Sequence, residues 1–210
     1  AADGSCQVAA GGYVVHLSRT GEELGRSERT LFNQPFRVSA NPTDGSCWVA
    51  DWGYCQVVHM VSGAAEAAWQ SDPGAFAGPY SVSVNPADGS CWVADHYLGL
   101  VVHLSEAGEE LRRSDAGAFG APHSVSVNPA DGSCWVADWA YSQVVHVVSG
   151  TAEAVWRSAD GMFDHAESVS VNPTDGSCWV ADMGFGEYGQ GRVLHLSATG
   201  EELWRSADGA

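Results

Sequence analysis

The chain has 210 residues, 45% of them apolar, and its 26 acidic and nine basic residues give a net charge of −17. This apolar content excludes a disordered chain and is enough for one sizeable core or for an array of units that bury one another. So acidic a surface repels phosphate backbones, and no apolar run approaches the roughly twenty residues of a membrane span, so we expect neither nucleic-acid binding nor membrane insertion.

The chain begins within a repeat whose marker is the tetrapeptide DGSC. In the first copy, at Asp3, no strand-like segment precedes this turn, and the last copy stops at residues 206–209, just before a new first strand would begin. Two alternatives follow. Either the first unit lacks its innermost strand, or the chain is a fragment of a longer array.

The marker recurs at nearly constant spacing. Successive copies lie 41, 44, 43 and 44 residues apart, and they start at Asp3, Asp44, Asp88, Asp131 and Asp175. Fixed periods of twenty to fifty residues are typical of solenoids, propellers and other repeat arrays. We therefore predict a single domain over residues 1–210 that is composed of five structural units.

Each full copy contains four strand-like segments. Around the copy at Asp88 these are Ser81–Val84, Cys91–Asp95, Val101–Leu104 and Glu109–Arg112, and an Asn-Pro-Ala-Asp-Gly turn separates the first two. The apolar residues alternate with a period of two, which argues against helical repeats. Four-stranded units of forty to forty-five residues are typical of propeller blades, so the predicted fold is an all-β, five-bladed propeller.

At this point the sequence resembles the NHL-repeat family of propellers. The segment 124–149, SVSVNPADGSCWVADWAYSQVVHVVS, is similar to that family's blade pattern of a short strand, an Asp-Gly turn, an aromatic-Val-Ala-Asp strand, a variable loop and an apolar third strand. The resemblance covers nearly the whole chain. It implies an interaction platform, since members of that family mostly serve as such, while related propellers include lyases and hydrolases.

Residues shared by every copy are interpreted as framework, because five equivalent blades would supply five copies of any site. The repeated cysteines are predicted to be free and buried, since equivalent positions in adjacent blades lie too far apart for a disulfide. The repeated tryptophans are predicted to fill the space between blades. The histidines of the third strands are predicted to pair with aspartates, as His59 with Asp51.

Function is expected where the copies differ, and the differences fall in two loops at one end of each blade. At the start of the innermost strand one aligned position varies, and we expect its side chains to ring the mouth of the axial channel, together with one cation. These residues are Phe36, Arg37, Tyr80, His123 and Glu167.

The loop between the second and third strands contains aromatic residues in all five copies. Its candidate ligand-binding residues are Trp52, Tyr54, His96, Tyr97, Trp139, Tyr141, Phe185 and Tyr188. Aromatic loops on a rigid scaffold are typical of binding platforms, so we predict a non-catalytic module for a peptide, glycan or protein partner, with no cofactor. The alternative is that these residues only cap the propeller.

An enzymatic alternative also rests on these loops. Two histidines and a carboxylate suit a catalytic metal with a vacant position, so His123, His165 and Glu167 are candidate ligands for Zn or Ca in a lyase or hydrolase. The long loop from Met183 to Arg192 has four glycines and is predicted to act as a lid, or as a contact to further blades or a larger assembly.

Overall fold

The computed structural model describes residues 4–62, 66–184 and 191–207. The described residues form nineteen strands in five antiparallel sheets, each made from consecutive strands, and the chain is a five-bladed β-propeller. Blade 1 contains β1 (Cys6–Ala10), β2 (Tyr13–Leu17) and β3 (Glu23–Arg26). Blade 2 contains β4 (Pro35–Ala40), β5 (Cys47–Asp51), β6 (Gln56–Met60) and β7 (Trp69–Gln70). Blade 3 contains β8 (Pro79–Val84), β9 (Cys91–Asp95), β10 (Leu100–Leu104) and β11 (Glu110–Arg113). Blade 4 contains β12 (Pro122–Val127), β13 (Cys134–Asp138), β14 (Gln143–Val147) and β15 (Ala154–Arg157). Blade 5 contains β16 (Ala166–Val171), β17 (Cys178–Asp182), β18 (Arg192–Leu196) and β19 (Glu202–Arg205).

Blade 1 has three strands among the described residues, where the other blades have four. Its strands correspond to the second, third and outermost strands of the other blades, which agrees with both alternatives stated above. No helix in the described part of the chain is long and apolar enough to cross a membrane.

The Asp-Gly turn joins the innermost strand to the second strand by local hydrogen bonds. In blade 3 the carboxylate of Asp88 accepts hydrogen bonds from the Ser90 amide and hydroxyl, at 3.0 and 2.6 Å. Gly89 has a φ of 73°, which glycine reaches at little steric cost, and its amide bonds to the carbonyl of Asn85 at 2.9 Å. The repeated sequence thus fixes one end of every hairpin.

The register of the second hairpin places the shared histidine beside the shared tryptophan. Leu100 pairs with Asp95, so His103 lies opposite Trp92, and the two rings stack with centroids 4.5 Å apart. His103 also forms a hydrogen bond with Ser90 at 3.1 Å. In blade 2, His59 likewise stacks on Trp48, at 4.4 Å.

The predicted pairing of Asp51 with His59 is therefore wrong. Gln56 lies opposite Asp51, and this register puts the aspartate on the opposite face of the sheet from the histidine. A shift of one residue along a strand reverses every side chain, so the expected pair is separated by the sheet itself.

Neighbouring blades are joined by the shared tryptophan. Trp48 is fully buried against the apolar face of blade 3, which includes Val82 and Cys91. Its Nε1 donates a hydrogen bond to the carbonyl of Gly89 at 3.2 Å, across the boundary between the blades. In blade 1, Gln7 takes the place of the tryptophan and donates through Nε2 to the equivalent carbonyl of Gly45 at 3.1 Å.

Serine hydroxyls connect the innermost strands around the axis. An innermost strand has a paired neighbour in its own sheet on one side only, so half of its amides need another acceptor. The amides of Val84, Val127 and Val171 each donate to a serine Oγ of the preceding blade, at 3.0 Å in all three cases. The acceptors are Ser39, Ser83 and Ser126.

The two end faces of the array do not cover each other. The shared tryptophan is 0% exposed in blades 2, 3 and 4, whereas Trp179 in blade 5 is 43% exposed. On the opposite end face, Cys6 and Val8 of blade 1 are exposed, although their counterparts in blade 2 are buried. Both end faces therefore present residues that pack against a neighbour in every internal blade.

All six cysteines have free thiols, and four of the five repeated ones are buried, as predicted. Burial raises the pKa of Cys47 to about 12, so its thiol stays protonated. Cys6 is the exception, because it lies on the uncovered face of blade 1.

The framework interpretation predicts unequal costs for alanine substitutions. Trp135→Ala should lower the free energy of unfolding by about 3 to 5 kcal/mol, because the indole is fully buried between two blades. Trp179→Ala, at the same position of a blade whose tryptophan face is uncovered, should cost clearly less. Tyr141→Ala removes a 57% exposed ring and should be nearly neutral. Urea unfolding of the three variants measures these differences, and similar costs for Trp135 and Tyr141 would refute the division into framework and loop face.

Candidate functional site

A buried aspartate at the end of the second strand ties the two variable loops together. In blade 3, Asp95 is 0% exposed and accepts hydrogen bonds from the amides of Ala77 and Gly78, which precede the innermost strand, at 2.7 and 3.1 Å. It also accepts from the amides of Tyr97 and Leu98 in the following loop, at 3.1 and 3.0 Å. The prediction that both loops lie at the same end of the blade is confirmed.

The same carboxylate contact recurs in blades 2, 4 and 5. Asp51 accepts from the amides of Asn33 and Gln34 at 3.0 and 2.8 Å. Asp138 accepts from Gly120 and Ala121, and Asp182 from Asp164. Buried carboxylates that accept backbone hydrogen bonds thus hold the described loop segments that precede the innermost strands.

A β-bulge positions the side chains at the mouth. In each innermost strand the register shifts by one residue between the first strand residue and the third, as between Pro79 and Ser81. The bulged residue is the variable one in every case, namely Phe36, Tyr80, His123 and Glu167. Bulges redirect side chains and are enriched beside functional sites. The sequence alignment identified the variable position but carried no signal for the bulge.

The four bulge residues form a continuous row, which we call the mouth arc. The rings of Phe36 and Tyr80 are 4.4 Å apart between centroids, and those of Tyr80 and His123 are 4.6 Å apart. His123 Nδ1 lies 2.8 Å from the Oε2 atom of Glu167. The structure therefore brings together the residues that were expected around the mouth.

Loop aromatics extend the mouth arc outward. The ring of His96 lies 5.1 Å from that of His123 and meets the ring of Tyr97 edge-on at 4.9 Å. The indole of Trp139 stacks parallel to His123 at 5.4 Å. Trp52 contacts Tyr97 at 6.2 Å, so seven of the candidate rings, Phe36 included, belong to one connected aromatic surface.

The tyrosines at the loop tips are exposed. Tyr97 is 62% exposed, and its ring lies across Gly78, where an added Cβ would come within 2.5 Å of Cδ2. Tyr141 lies across Gly120 in the same way. Among the described residues no ring contact joins Tyr54 or Tyr141 to the mouth arc. Phe185, Tyr188 and most of the long loop lie outside the described residues.

Two titratable groups at the mouth, Tyr80 and His96, have shifted pKa values. Burial, and next the charge of Glu167, raise the pKa of Tyr80, while the exposed Arg37 acts in the opposite sense. Burial and the neighbouring His123 lower the pKa of His96. Both shifts favour the uncharged forms, namely the phenol of Tyr80 and the neutral imidazole of His96.

The candidate metal ligands are not assembled. His123 uses Nδ1 to contact Glu167, and the Trp139 indole packs against both His123 and His165, with centroids 5.4 and 4.5 Å away. Within residues 4–62, 66–184 and 191–207, no group of three His, Cys, Asp or Glu side chains is placed to hold a metal ion. The metal set proposed from the sequence, His123 with His165 and Glu167, is thus not brought together as a three-ligand group in the described part of the chain, and it stays an untested prediction.

No protein-family model and no curated protein matches the sequence. Among solved structures, the chain is similar to hydrazine synthase from Kuenenia stuttgartiensis, with a TM-score of 0.70 and 15% identity over 81% of this chain and 48% of that one. It is also similar to virginiamycin B lyase from Staphylococcus aureus, with a TM-score of 0.73 and 10% identity over 94% of this chain and 64% of that one. This chain spans less than two thirds of either structure. Both neighbours are β-propellers, and likeness at these identities shows the fold alone, so the resemblance to NHL repeats is confirmed only as far as the propeller.

Acidification should destabilise the protein before its carboxylates protonate. Burial lowers the pKa of four histidines from 6.5, namely His59, His96, His103 and His146. Just below pH 6.5 the unfolded chain therefore binds protons that the folded chain does not. The contribution of the four neutral histidines to the free energy of unfolding is complete above pH 6.5 and is lost as the pH falls below that value. Urea unfolding at pH 7.5 and pH 5.5 should show the lower free energy at pH 5.5.

A single substitution tests the assignment to these histidines. His96→Gln should lose less free energy of unfolding between pH 7.5 and pH 5.5 than the unmodified chain does, because it removes one titrating group. Tyr97→Phe, its neighbour in the same loop, should retain the full pH dependence. An identical pH dependence in both variants would contradict the assignment to His96.

Proposed function

We propose that the chain is a non-catalytic binding module whose ligand contacts the mouth arc and the loop aromatics around it. The observation that supports this is the unbroken series of ring contacts from Phe36 through Tyr80 and His123 to Trp139. Rigid aromatic side chains contribute large contact areas at a low cost in conformational entropy. The buried aspartates behind them hold this surface in one shape before any ligand arrives.

The chemistry of the surface favours a peptide or a protein segment with a cationic or aromatic side chain. The chain carries a net charge of −17, and the only charged members of the expected mouth are Glu167 and Arg37. A guanidinium or ammonium group would meet the Glu167 carboxylate and the faces of Tyr80 and Trp139, and such contacts are favourable in both Coulomb and cation–π energy. A glycan, whose rings stack on aromatic faces, is the second ligand class.

Peptide and glycan arrays test this proposal directly. The unmodified chain should bind peptides that contain Arg or Lys beside an aromatic residue, and Tyr80→Ser or Trp139→Ala should weaken binding by about tenfold or more, as at other aromatic hot spots. Val155→Ser is the matched control, because Val155 is 59% exposed on the outer strand β15. Signals on the glycan array alone would select the second ligand class.

Two outcomes would overturn the proposal. Binding that is absent, or that is insensitive to Tyr80 and Trp139, would show that the loop residues only cap the propeller. Stoichiometric Zn or Ca in the purified protein that is lost in His123→Ala would point instead to a metal-dependent lyase or hydrolase.

The end faces favour a second kind of partner, and we propose that a further sheet of the same repeat packs on blade 5. Trp179 is 43% exposed and Val193 is 37% exposed, while Trp135 and Val144 at the same positions of blade 4 are fully buried under blade 5. The complementary surface in each internal blade is the cysteine-bearing face of the next sheet. In repeat arrays, stability grows with each interface between neighbours.

Extension of the chain tests this pairing. A copy of residues 119–157 appended after Ala210 continues the repeat in phase, since Ala210 aligns with Ala118. The extended chain should have a higher Tm, and acrylamide should quench the Trp179 fluorescence less, as determined by comparison with a Trp179→Phe variant. A copy that carries Cys134→Arg and Val136→Arg removes the complementary face and is the control. Equal quenching of Trp179 with and without the intact copy would refute the pairing.

A further inference from the structure

We propose that the boundary between blades 1 and 2 contains a second ligand site, for a small planar aromatic molecule that carries an N–H group. The site is separate from the mouth arc, and nothing in it depends on the function proposed above. It rests on a row of three residues across each blade, which contains two tryptophans in blades 2, 4 and 5, one in blade 3, where Arg112 lies opposite His103, and none in blade 1.

The row runs through the second, third and outermost strands. In blade 2 it consists of Trp48, His59 and Trp69, which lie opposite one another in register. Blades 4 and 5 repeat the Trp-His-Trp row. In blade 1 the register aligns Gln7, His16 and Gly25, so both indoles are replaced while the histidine is kept.

In blade 2 the two indoles fill the space between the blades. Trp48 stacks on His59 with centroids 4.4 Å apart, and Trp69 tilts against Trp48 at 5.6 Å. The indole of Trp69 packs so closely on Gly108 of blade 3 that no Cβ would fit there. The row therefore fills the space between blades 2 and 3, and we call this space the aromatic slot.

In blade 1 the corresponding slot is a cavity of about 130 Å³. Its lining includes Gln7, Val14, His16, Gly25, Cys47 and Met60. An engineered apolar cavity of about 150 Å³ in another protein binds benzene, so this volume suits a small ring system. Val61 at its edge is 51% exposed, which leaves the cavity accessible from the surface.

Two polar features define the chemistry of the ligand. Gln7 donates through Nε2 to Gly45, but its Oε1 atom is buried and has no hydrogen-bond partner among the described residues. A buried acceptor without a donor is costly, so a rotation of the Gln7 amide that brings Oε1 to the cavity and to a ligand N–H would be favourable. His16 is held by a hydrogen bond of 2.9 Å between its Nε2 and Ser5 Oγ, and its ring lines the cavity as a stacking surface.

Indole and 1-methylindole are the probes, since an N-methyl group replaces the N–H donor and the aromatic ring system stays the same. In titration calorimetry and saturation-transfer NMR, indole should bind to the unmodified chain about fivefold or more tightly than 1-methylindole, the size expected for one hydrogen bond. Gln7→Leu should abolish this preference, because it removes the acceptor.

Gly25→Trp should abolish indole binding by restoring the aromatic row of blade 2. A Cβ at Gly25 meets no atom within 4 Å, so the substitution is tolerated by the backbone and should also raise the Tm. Gly150→Trp is the matched control, because Gly150 has equally open surroundings in a distant turn. Gly25→Leu provides a second variant that fills part of the cavity, should the tryptophan variant fail to fold.

The mouth arc is also aromatic, so its contribution is measured separately. Tyr80→Ser should leave indole binding unchanged, and loss of binding in that variant would overturn the assignment to the cavity. Absence of indole binding to the unmodified chain would show that the cavity is only a packing defect. Retention of binding in both Gly25 variants would refute the site as well.

Discussion

The loop face of this propeller depends on one buried carboxylate in each of blades 2 to 5. A charged aspartate without solvent is strongly unfavourable unless its oxygens are fully paired, and Asp95 is paired with four backbone amides from two loops. Those loops are thereby fixed relative to each other, directly before the bulge that presents Tyr80. Blade 1 has Ala10 at this position, and among its described residues there is no innermost strand whose approach a carboxylate would have to hold. The aspartate is thus present in the blades whose innermost strand it positions.

The sequence predicted the blades well because the repeated residues are local signals for strands and turns. Period-two alternation and the Asp-Gly turn determine local structure, so five sheets in chain order followed from them. The register of the second hairpin could not be predicted from these signals, because it depends on the conformation of a four-residue loop. That loop ends in a residue with positive φ, which is Gly99 in blade 3 but Cys55 and Ser142 in blades 2 and 4. A left-handed cysteine or serine carries no clear sequence signal, and so the histidines were assigned to the wrong face.

The mouth was predicted in part for a similar reason. Alignment of the copies isolates Phe36, Tyr80, His123 and Glu167 as a variable set, and the geometry places them in one row. The predicted metal ligands do not form one group among the described residues, and this has a local cause. The propeller brings residues of neighbouring blades close together, but a large side chain can prevent their direct contact. Here the indole of Trp139 packs against the rings of both His123 and His165.

Departures from the repeat have different consequences on the surface and in the interior. At the mouth a new side chain changes the chemistry of the surface while the framework behind it stays paired. Between blades, replacement of the indoles by Gln7 and Gly25 leaves about 130 Å³ unfilled, and the lost packing lowers the free energy of unfolding. A molecule that fills this space recovers part of that free energy, so its binding and the stability of the boundary between blades 1 and 2 are thermodynamically linked. Ligand binding in the cavity between blades 1 and 2 is therefore coupled to folding. A ligand at the mouth, by contrast, binds to a surface that the aspartates have already ordered.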